Sequence, residues 1–279
     1  MKVKFWGCRG SIPSPGQNTM RYGGNTTCLE IRQNGGIIIV DAGSGIRLLG
    51  KQLMKENDIK EIFLILTHSH WDHLCGFPFF TPAYFPGYKI NVYGGPNAQG
   101  SLRGYLSHQM TAPFFPVDFS LMKASFTFGD GCPNMGSIGI VDYFPIPLCH
   151  PNGGYGYKFK KNGKTFVFLT DNEPIFPHPG GLSRAEYIEF SRGADLFVHD
   201  AQYTDEEYKF TKGWGHSTYE YATQMAIDAG VKKFGIFHHD PDRTDDDLDR
   251  YVEMCREQIK NAGAKIECFA ISEGMEVAC

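Results

Sequence analysis

Six consecutive residues constrain this chain more than any other feature: His68-Ser69-His70-Trp71-Asp72-His73. They follow Ile62-Phe63-Leu64-Ile65-Leu66, an apolar run of strand length, so the side chains of the motif stand at the mouth of a buried strand. A strand ending in three imidazoles and a carboxylate points them off one sheet edge. Neutral imidazole and carboxylate suit zinc, manganese or iron(II). Four donors in six positions exceed what one catalytic metal ordinarily takes from a single loop, and the spacing provides for two ions. The plain alternative is a His-rich surface turn. It would desolvate four polar side chains beside a buried strand without compensation.

Composition narrows the setting. With 279 residues and 42% hydrophobic content the chain can bury a large core. The net charge of −4 and the lack of any Lys/Arg block argue against nucleic acid held by charge alone. The basic stretch Lys158–Lys164 contains Asn162-Gly163 between alternating segments and reads as a hairpin with a solvated face. The start, Met1-Lys2-Val3-Lys4-Phe5-Trp6, alternates like a strand, with no signal-like apolar region, and no run is long enough to span a membrane. The 8 cysteines are scattered without a C-x-x-C pair and read as small buried residues of a reducing compartment. Cys75 and Cys149 are the two whose sequence neighbours raise the question of ligation. A cytoplasmic enzyme is the expectation.

Strand-like runs fall in two sets, 2–6, 27–32, 36–41, 62–67 and 89–93, then 138–144, 155–160, 165–170, 195–199, 233–237 and 266–271. Ser183-Arg184-Ala185-Glu186 and Ser217-Thr218-Tyr219-Glu220 are capping-box starts. Thr244 followed by three aspartates starts the last long helix, where Leu248, Val252, Cys255 and Ile259 form a core stripe. Gly230 and Gly263 are helix stops. The mixture suggests a layered α/β domain of two similar halves, covering 1–279 as one unit. Residues 76–125 are aromatic and broken by Pro78, Pro82 and Pro86. They could pack over the core, wall a pocket or form a dimer face.

Further ligands are expected just after strands. His150, Asp171 and His238 each follow an apolar run. With these residues in view, the chain resembles the metallo-β-lactamase superfamily over nearly its whole length. The resemblance implies a four-layer αββα sandwich with two metals at one edge. By resemblance, His68, His70 and His150 would hold one metal, Asp72, His73 and His238 the other, and Asp171 would bridge them. His239 is the rival of His238. Asp41, in Val40-Asp41-Ala42-Gly43, matches an acid that orients a metal-ligand histidine in that family. A turn or cap role suits it equally.

Val198-His199-Asp200-Ala201 and His216-Ser217-Thr218 resemble paired motifs of the ribonuclease Z-like phosphodiesterase branch. There His216 would stabilise or protonate oxygens around phosphorus, with Asp200 fixing its tautomer and charge. The branch usually carries Glu where this chain has Asp200. The dipole of the following helix disfavours protonated His216, and a nearby carboxylate counters that. His108 and His178 read as surface residues, and His199 as part of a strand end. Arg9 and Asn25, in glycine-rich turns that also look like this branch, read as structural rather than phosphate-binding.

The resemblance implies two divalent ions, zinc first and manganese or iron as alternatives. It implies a shared hydroxide as nucleophile, Asp72 as a further proton acceptor and a small phosphodiester such as a cyclic nucleotide as substrate. Three other readings compete. A transfer-RNA 3′-processing endonuclease carries a long arm between the equivalents of His150 and Asp171. Here only Pro151–Thr170 lie between them, enough for one hairpin, so tRNA is not the expected partner. A thioester or lactone hydrolase would share the metals without needing His216 and Asp200. A non-catalytic scaffold on the same fold would ordinarily have lost ligands. A homodimer is usual in the resembling families.

Overall fold

The computed structural model describes residues 1–33, 36–56, 58–94, 102–129 and 135–279. In chain order the strands of the first half are β1 (Lys2–Gly7), β2 (Cys28–Gln33), β3 (Gly36–Val40), β4 (Glu61–Leu66), β5 (Lys89–Gly94) and β6 (Ser125–Phe128). The second half supplies β7 (Gly136–Ile138), β8 (Val141–Pro147), β9 (Tyr155–Lys161), β10 (Lys164–Leu169), β11 (Leu196–Asp200), β12 (Lys233–Phe237), β13 (Glu267–Ala270) and β14 (Glu276–Ala278). The helices are α1 (Ile46–Leu53), α2 (Leu102–His108), α3 (Arg184–Ser191), α4 (Asp205–Thr211), α5 (Tyr219–Ala229) and α6 (Asp245–Asn261).

Two seven-stranded sheets result, ordered β14-β1-β2-β3-β4-β5-β6 and β13-β12-β11-β10-β9-β8-β7. Each has a parallel block, β3 to β6 in one and β10 to β13 in the other. β3, β10, β11 and β12 are buried on both faces, as parallel strands covered by helices must be, whereas the outer strands β6 and β13 are partly exposed. In β3, Ile38 and Val40 face the other sheet while Ile37 and Ile39 face the outer layer. In β10, Phe166 and Phe168 face inward while Val167 and Leu169 meet the helices outside. α1 and the aromatic segment cover the first sheet; α3, α5 and α6 cover the second. The layers are therefore αββα.

The local expectations hold at most places and fail at a few. Ser183 and Thr244 both form capping boxes, and Gly230 ends α5 at φ +59°. The box expected at Ser217 is not formed. Thr218 caps α5 by accepting from Tyr221 N, because Ser217 Oγ is committed to the Asn172 carbonyl at 2.6 Å. The run 138–144 is two strands, β7 and β8, separated by a turn with Gly139 at φ +59°. The halves also exchange an element, since β14 returns to pair with β1. Among the described residues, segment 76–125 includes short 3-10 turns; its Phe77, Phe80 and Tyr88 are buried, whereas Phe79, Phe85 and Phe114 are exposed. Among the described residues, no helix is long and apolar enough to cross a membrane.

Candidate metal centre

The carboxyl ends of the parallel strands of both sheets open on one edge, the position where layered α/β folds place their ligands. Asp41 follows β3, the 67–73 loop follows β4, Asp171 lies just beyond β10, Asp200 ends β11 and His238 follows β12. His150 arrives from the antiparallel side, shortly after β8. Asp41, Asp171 and His238 have φ of 62°, 54° and 58°. That left-handed conformation is uncommon for residues other than glycine, and Asp, Asn and His adopt it more readily than most. It ends each strand abruptly and turns the side chain across the edge.

The donors gather in two groups. His68, His70 and His150 form one; Asp72, His73, Asp171 and His238 form the other, and within each group the candidate atoms lie within 4.8 Å of one another. Asp171 lies between them. Its Oδ2 is 3.6 Å from His68 Nε2, 3.8 Å from His150 Nε2 and 3.3 Å from His238 Nε2, and its Oδ1 is 3.3 Å from His73 Nε2. Asp72 Oδ2 is 3.1 Å from His238 Nε2 and 3.3 Å from His73 Nε2. His70 faces His150 through Nδ1, at 3.1 Å. All seven residues named from the sequence thus converge, and His238 rather than His239 is the member present. His239 is turned away, its Nε2 donating to the Ile271 carbonyl.

The ring orientations have physical causes. His73 Nδ1 donates to Asp41 Oδ2 at 2.8 Å, His150 Nδ1 to the Gly215 carbonyl at 2.9 Å, His238 Nδ1 to Gln202 Oε1 at 2.9 Å and His68 Nδ1 to Thr67 Oγ1 at 3.0 Å. A proton fixed on Nδ1 leaves the Nε2 lone pair aimed at the cluster. Asp41 is itself anchored by Thr67 N and Thr67 Oγ1, so it orients His73 rather than capping a turn. Among the described residues, the buried Nε2 atoms of His68 and His73 have no hydrogen-bond partner. Orphaned lone pairs facing buried carboxylates fit divalent cations. Charge points the same way. Burial pushes His68 well below its usual range and His150 to about 3. Burial also opposes charge on His73 and His238, yet the surrounding aspartates outweigh it and raise both. The carboxylates draw protons onto two histidines, and metal binding displaces such protons.

Beside the donors lies His216, whose ring stacks on His238 at 4.7 Å and stands 5.4 Å from His150. Its Nδ1 comes to 3.4 Å from Asp200 Oδ2 without an aligned hydrogen bond. Asp200 instead accepts from Asn172 N and Ser217 N, both at 2.9 Å, stapling together the neighbours of Asp171 and His216. Burial lowers His216 to about 4, helped by the charge of His238, and raises Asp200 to about 7. For His216, burial outweighs the carboxylates around it.

Other residues take structural places. Arg9 is buried and donates to the carbonyls of Gly23, Asp240 and Arg243, and Asn25 pairs with Glu273. Cys149 Sγ donates to the Phe176 carbonyl and Cys75 Sγ faces Thr26 Oγ1. His178, read as a surface residue, donates to buried Glu173 at 2.7 Å. Sequence reasoning missed Glu173 altogether. It also accepts from Tyr208 Oη, Gly213 N and Gly215 N, holding the loop whose Gly215 carbonyl orients His150. A Cβ on Gly215, at φ +96°, would lie 2.0 Å from His150 Nδ1. The missed signal was Gly213-Trp214-Gly215 immediately before His216. Gln202, two residues after Asp200, was the other omission.

Residues 37–239 match the family model of the beta-lactamase superfamily domain. Ribonuclease Z of Acaryochloris marina is 24% identical over a 295-residue alignment that covers 86% of each chain. The metallo-beta-lactamase fold protein YhfI from Bacillus subtilis superposes with a TM-score of 0.68 at 17% identity, over 99% of this chain and 98% of that one. A diphosphatase of the PhnP family superposes with a TM-score of 0.67 at 18% identity, over 100% and 97%.

Proposed function

The chain belongs to the metallo-beta-lactamase superfamily, and from that premise we propose that this hydrolase is a phosphodiesterase of the ribonuclease Z-like branch, acting on a small phosphodiester such as a cyclic nucleotide. The observation that carries the reading is His216, stacked on His238 at 4.7 Å beside the donor cluster. Hydrolysis of a thioester or lactone needs the donors but not this ring.

His68, His70 and His150 would hold one divalent ion; Asp72, His73 and His238 the other; Asp171 would touch both. When bound, such ions supply water acidified to near neutral pH and a positive clamp for the charge of an in-line displacement. The remaining work belongs to the chain. Asp72, whose Oδ2 accepts from Ser11 N at 2.9 Å, is available to take a proton from the attacking water. His216, held at about 4 and so neutral at pH 7, can donate an N–H hydrogen bond to a phosphoryl oxygen, and it can protonate the leaving oxygen only with a proton it has first taken up from the attacking water. Asp200 keeps His216 and Asp171 in register through the backbone on either side.

A tRNA-processing role is the second reading, favoured by the ribonuclease Z relatives. Against it, the segment between His150 and Asp171 is occupied by the β9–β10 hairpin, which leaves no length for an arm. The test is hydrolysis of bis(p-nitrophenyl) phosphate by metal-reconstituted protein. Turnover should vanish with chelator and in Asp171→Ala, and fall on the order of 10²–10⁴-fold in His216→Ala. Undiminished diester turnover in His216→Ala would remove the observation that carries the reading, absence of diester turnover by the metal-loaded protein would move it to ester chemistry, and trimming of a precursor tRNA at low protein concentration would restore the nuclease.

A further inference from the structure

A hollow of about 640 Å³ lies beside the candidate metal-binding loop, lined by Ser69, Trp71 and Leu74 and by Tyr105, His108 and Gln109. That volume is within the ~300–1,000 Å³ range of small-molecule sites. Trp71 sits in sequence between His70 and Asp72, two residues whose side chains enter the candidate centre. Its backbone is fixed, since its carbonyl accepts from Leu74 N at 3.0 Å and Cys75 N at 2.7 Å. Trp71 is nevertheless 58% exposed, and Tyr105, which also lines the hollow, is 38% exposed. Two aromatic residues are thus left uncovered in a hollow that also borders the loop carrying His70 and Asp72. Gln109 adds an independent mark. Its Nε2 is buried and, among the described residues, has no hydrogen-bond partner. A buried amide donor without an acceptor is costly unless a ligand supplies one.

We propose that this hollow seats the heteroaromatic base of the substrate, stacked on Trp71 and Tyr105, with the Gln109 side chain turning its buried amide out to donate to an acceptor on the ring edge. The inference rests on the phosphodiesterase reading and specifies its substrate as a nucleotide. An aliphatic group would cover the aromatic faces but leave the Gln109 donor unmet. A second phosphate finds no partner either, because the described residues lining the hollow include no Lys or Arg. A planar ring with acceptor nitrogens or carbonyls satisfies both features at once.

The test is titration of the metal-loaded full chain with the four 5′-ribonucleotides and with ribose 5-phosphate, read by tryptophan fluorescence. At least one nucleotide should quench saturably and ribose 5-phosphate should not. Trp71→Leu should abolish the quench and weaken binding, measured by calorimetry, about 10-fold, as loss of one stacking face does. Trp71→Phe should recover most of that affinity, and Gln109→Leu should weaken it severalfold at an unchanged melting temperature. Equal affinity for ribose 5-phosphate and every nucleotide, or nucleotide binding indifferent to Trp71, overturns the proposal. The two readings fail separately. A Trp71-dependent nucleotide complex in a protein that cleaves no diester would sustain the base site and refute the phosphodiesterase. Diester cleavage without base-dependent binding would do the reverse.

Discussion

Replacing Asp41 by Asn should cost metal affinity without unfolding the protein. Asp41 is fully buried, with Oδ1 accepting from Thr67 N at 2.7 Å and Oδ2 accepting from Thr67 Oγ1 at 2.8 Å and His73 Nδ1 at 2.8 Å. Asn tolerates the φ of 62° as Asp does, and its Oδ1 keeps the bond to Thr67 N. Its NH₂ group, however, replaces the acceptor Oδ2. The Thr67 hydroxyl can rotate to accept from it. The His73 N–H cannot, so the imidazole must take the other tautomer, with Nδ1 bare and the proton on Nε2. That proton then points at Asp72 Oδ2 and Asp171 Oδ1, both 3.3 Å away, and occupies the lone pair that a cation needs. Losses of this kind run about 10- to 100-fold in metal affinity, or ~1.4–2.7 kcal/mol. Competition for Zn²⁺ against a fluorescent chelator at pH 7.5 measures it, with circular dichroism to verify the fold. A folded Asp41→Asn protein that binds zinc within twofold of the parent would refute the tautomer argument.

Two further substitutions probe the scaffold. Glu173→Gln leaves one oxygen and an amino group where four donors converge, which costs about 1–3 kcal/mol in urea melts and slackens the Gly215 carbonyl that orients His150; unchanged stability and unchanged metal content would show the loop to be held otherwise. Asp195 is held at about 2: burial works against its charge, but bonds from Lys232, Thr165 N and Lys164 prevail. Its folded value lies below the unfolded one, so it contributes stability above about pH 4 that is lost as pH falls toward 2. Because the two lysines are 67% and 45% exposed, the contribution at pH 7 is about 1–2 kcal/mol, and Asp195→Asn should cost that much, with the gap to the parent closing below pH 4. A gap independent of pH would assign the loss to packing.

What could be read from the sequence was whatever local chemistry determines. β3, β4 and β10 announced themselves because both faces are covered, giving unbroken apolar runs such as Ile37–Val40. The candidate metal donors announced themselves because each stands at the end of such a run. β14 was invisible: three residues, Glu276–Ala278, pair with β1 across the whole chain, and nothing local marks them. Ser217 carried a capping signature that tertiary bonds to Asn172 and Asp200 overrode. Glu173 was hidden for a related reason. Four donors from three separate segments make it a hub, and a glutamate beside an asparagine looks like any surface acid until those segments meet.

The same tertiary logic explains how the centre tolerates its own strain. Left-handed backbone at Asp41, Asp171 and His238 costs on the order of 1 kcal/mol or more at each position. Glycine would relieve it but would remove the donor, so strain and ligand are inseparable there. What holds the conformation is the parallel pairing just before each residue. Val40 is locked against Ile65, Leu169 against His199, and Ile236 against both His199 and Ala270. Strands fixed on both sides cannot slide to relax their ends. The backbone therefore holds the side chains in a fixed constellation, with the Nε2 atoms of His68 and His73 facing Asp171. A centre so preorganised loses little ordering entropy on binding. Its affinity should accordingly depend more on the hydrogen bonds that fix each tautomer than on closure of the surrounding loops.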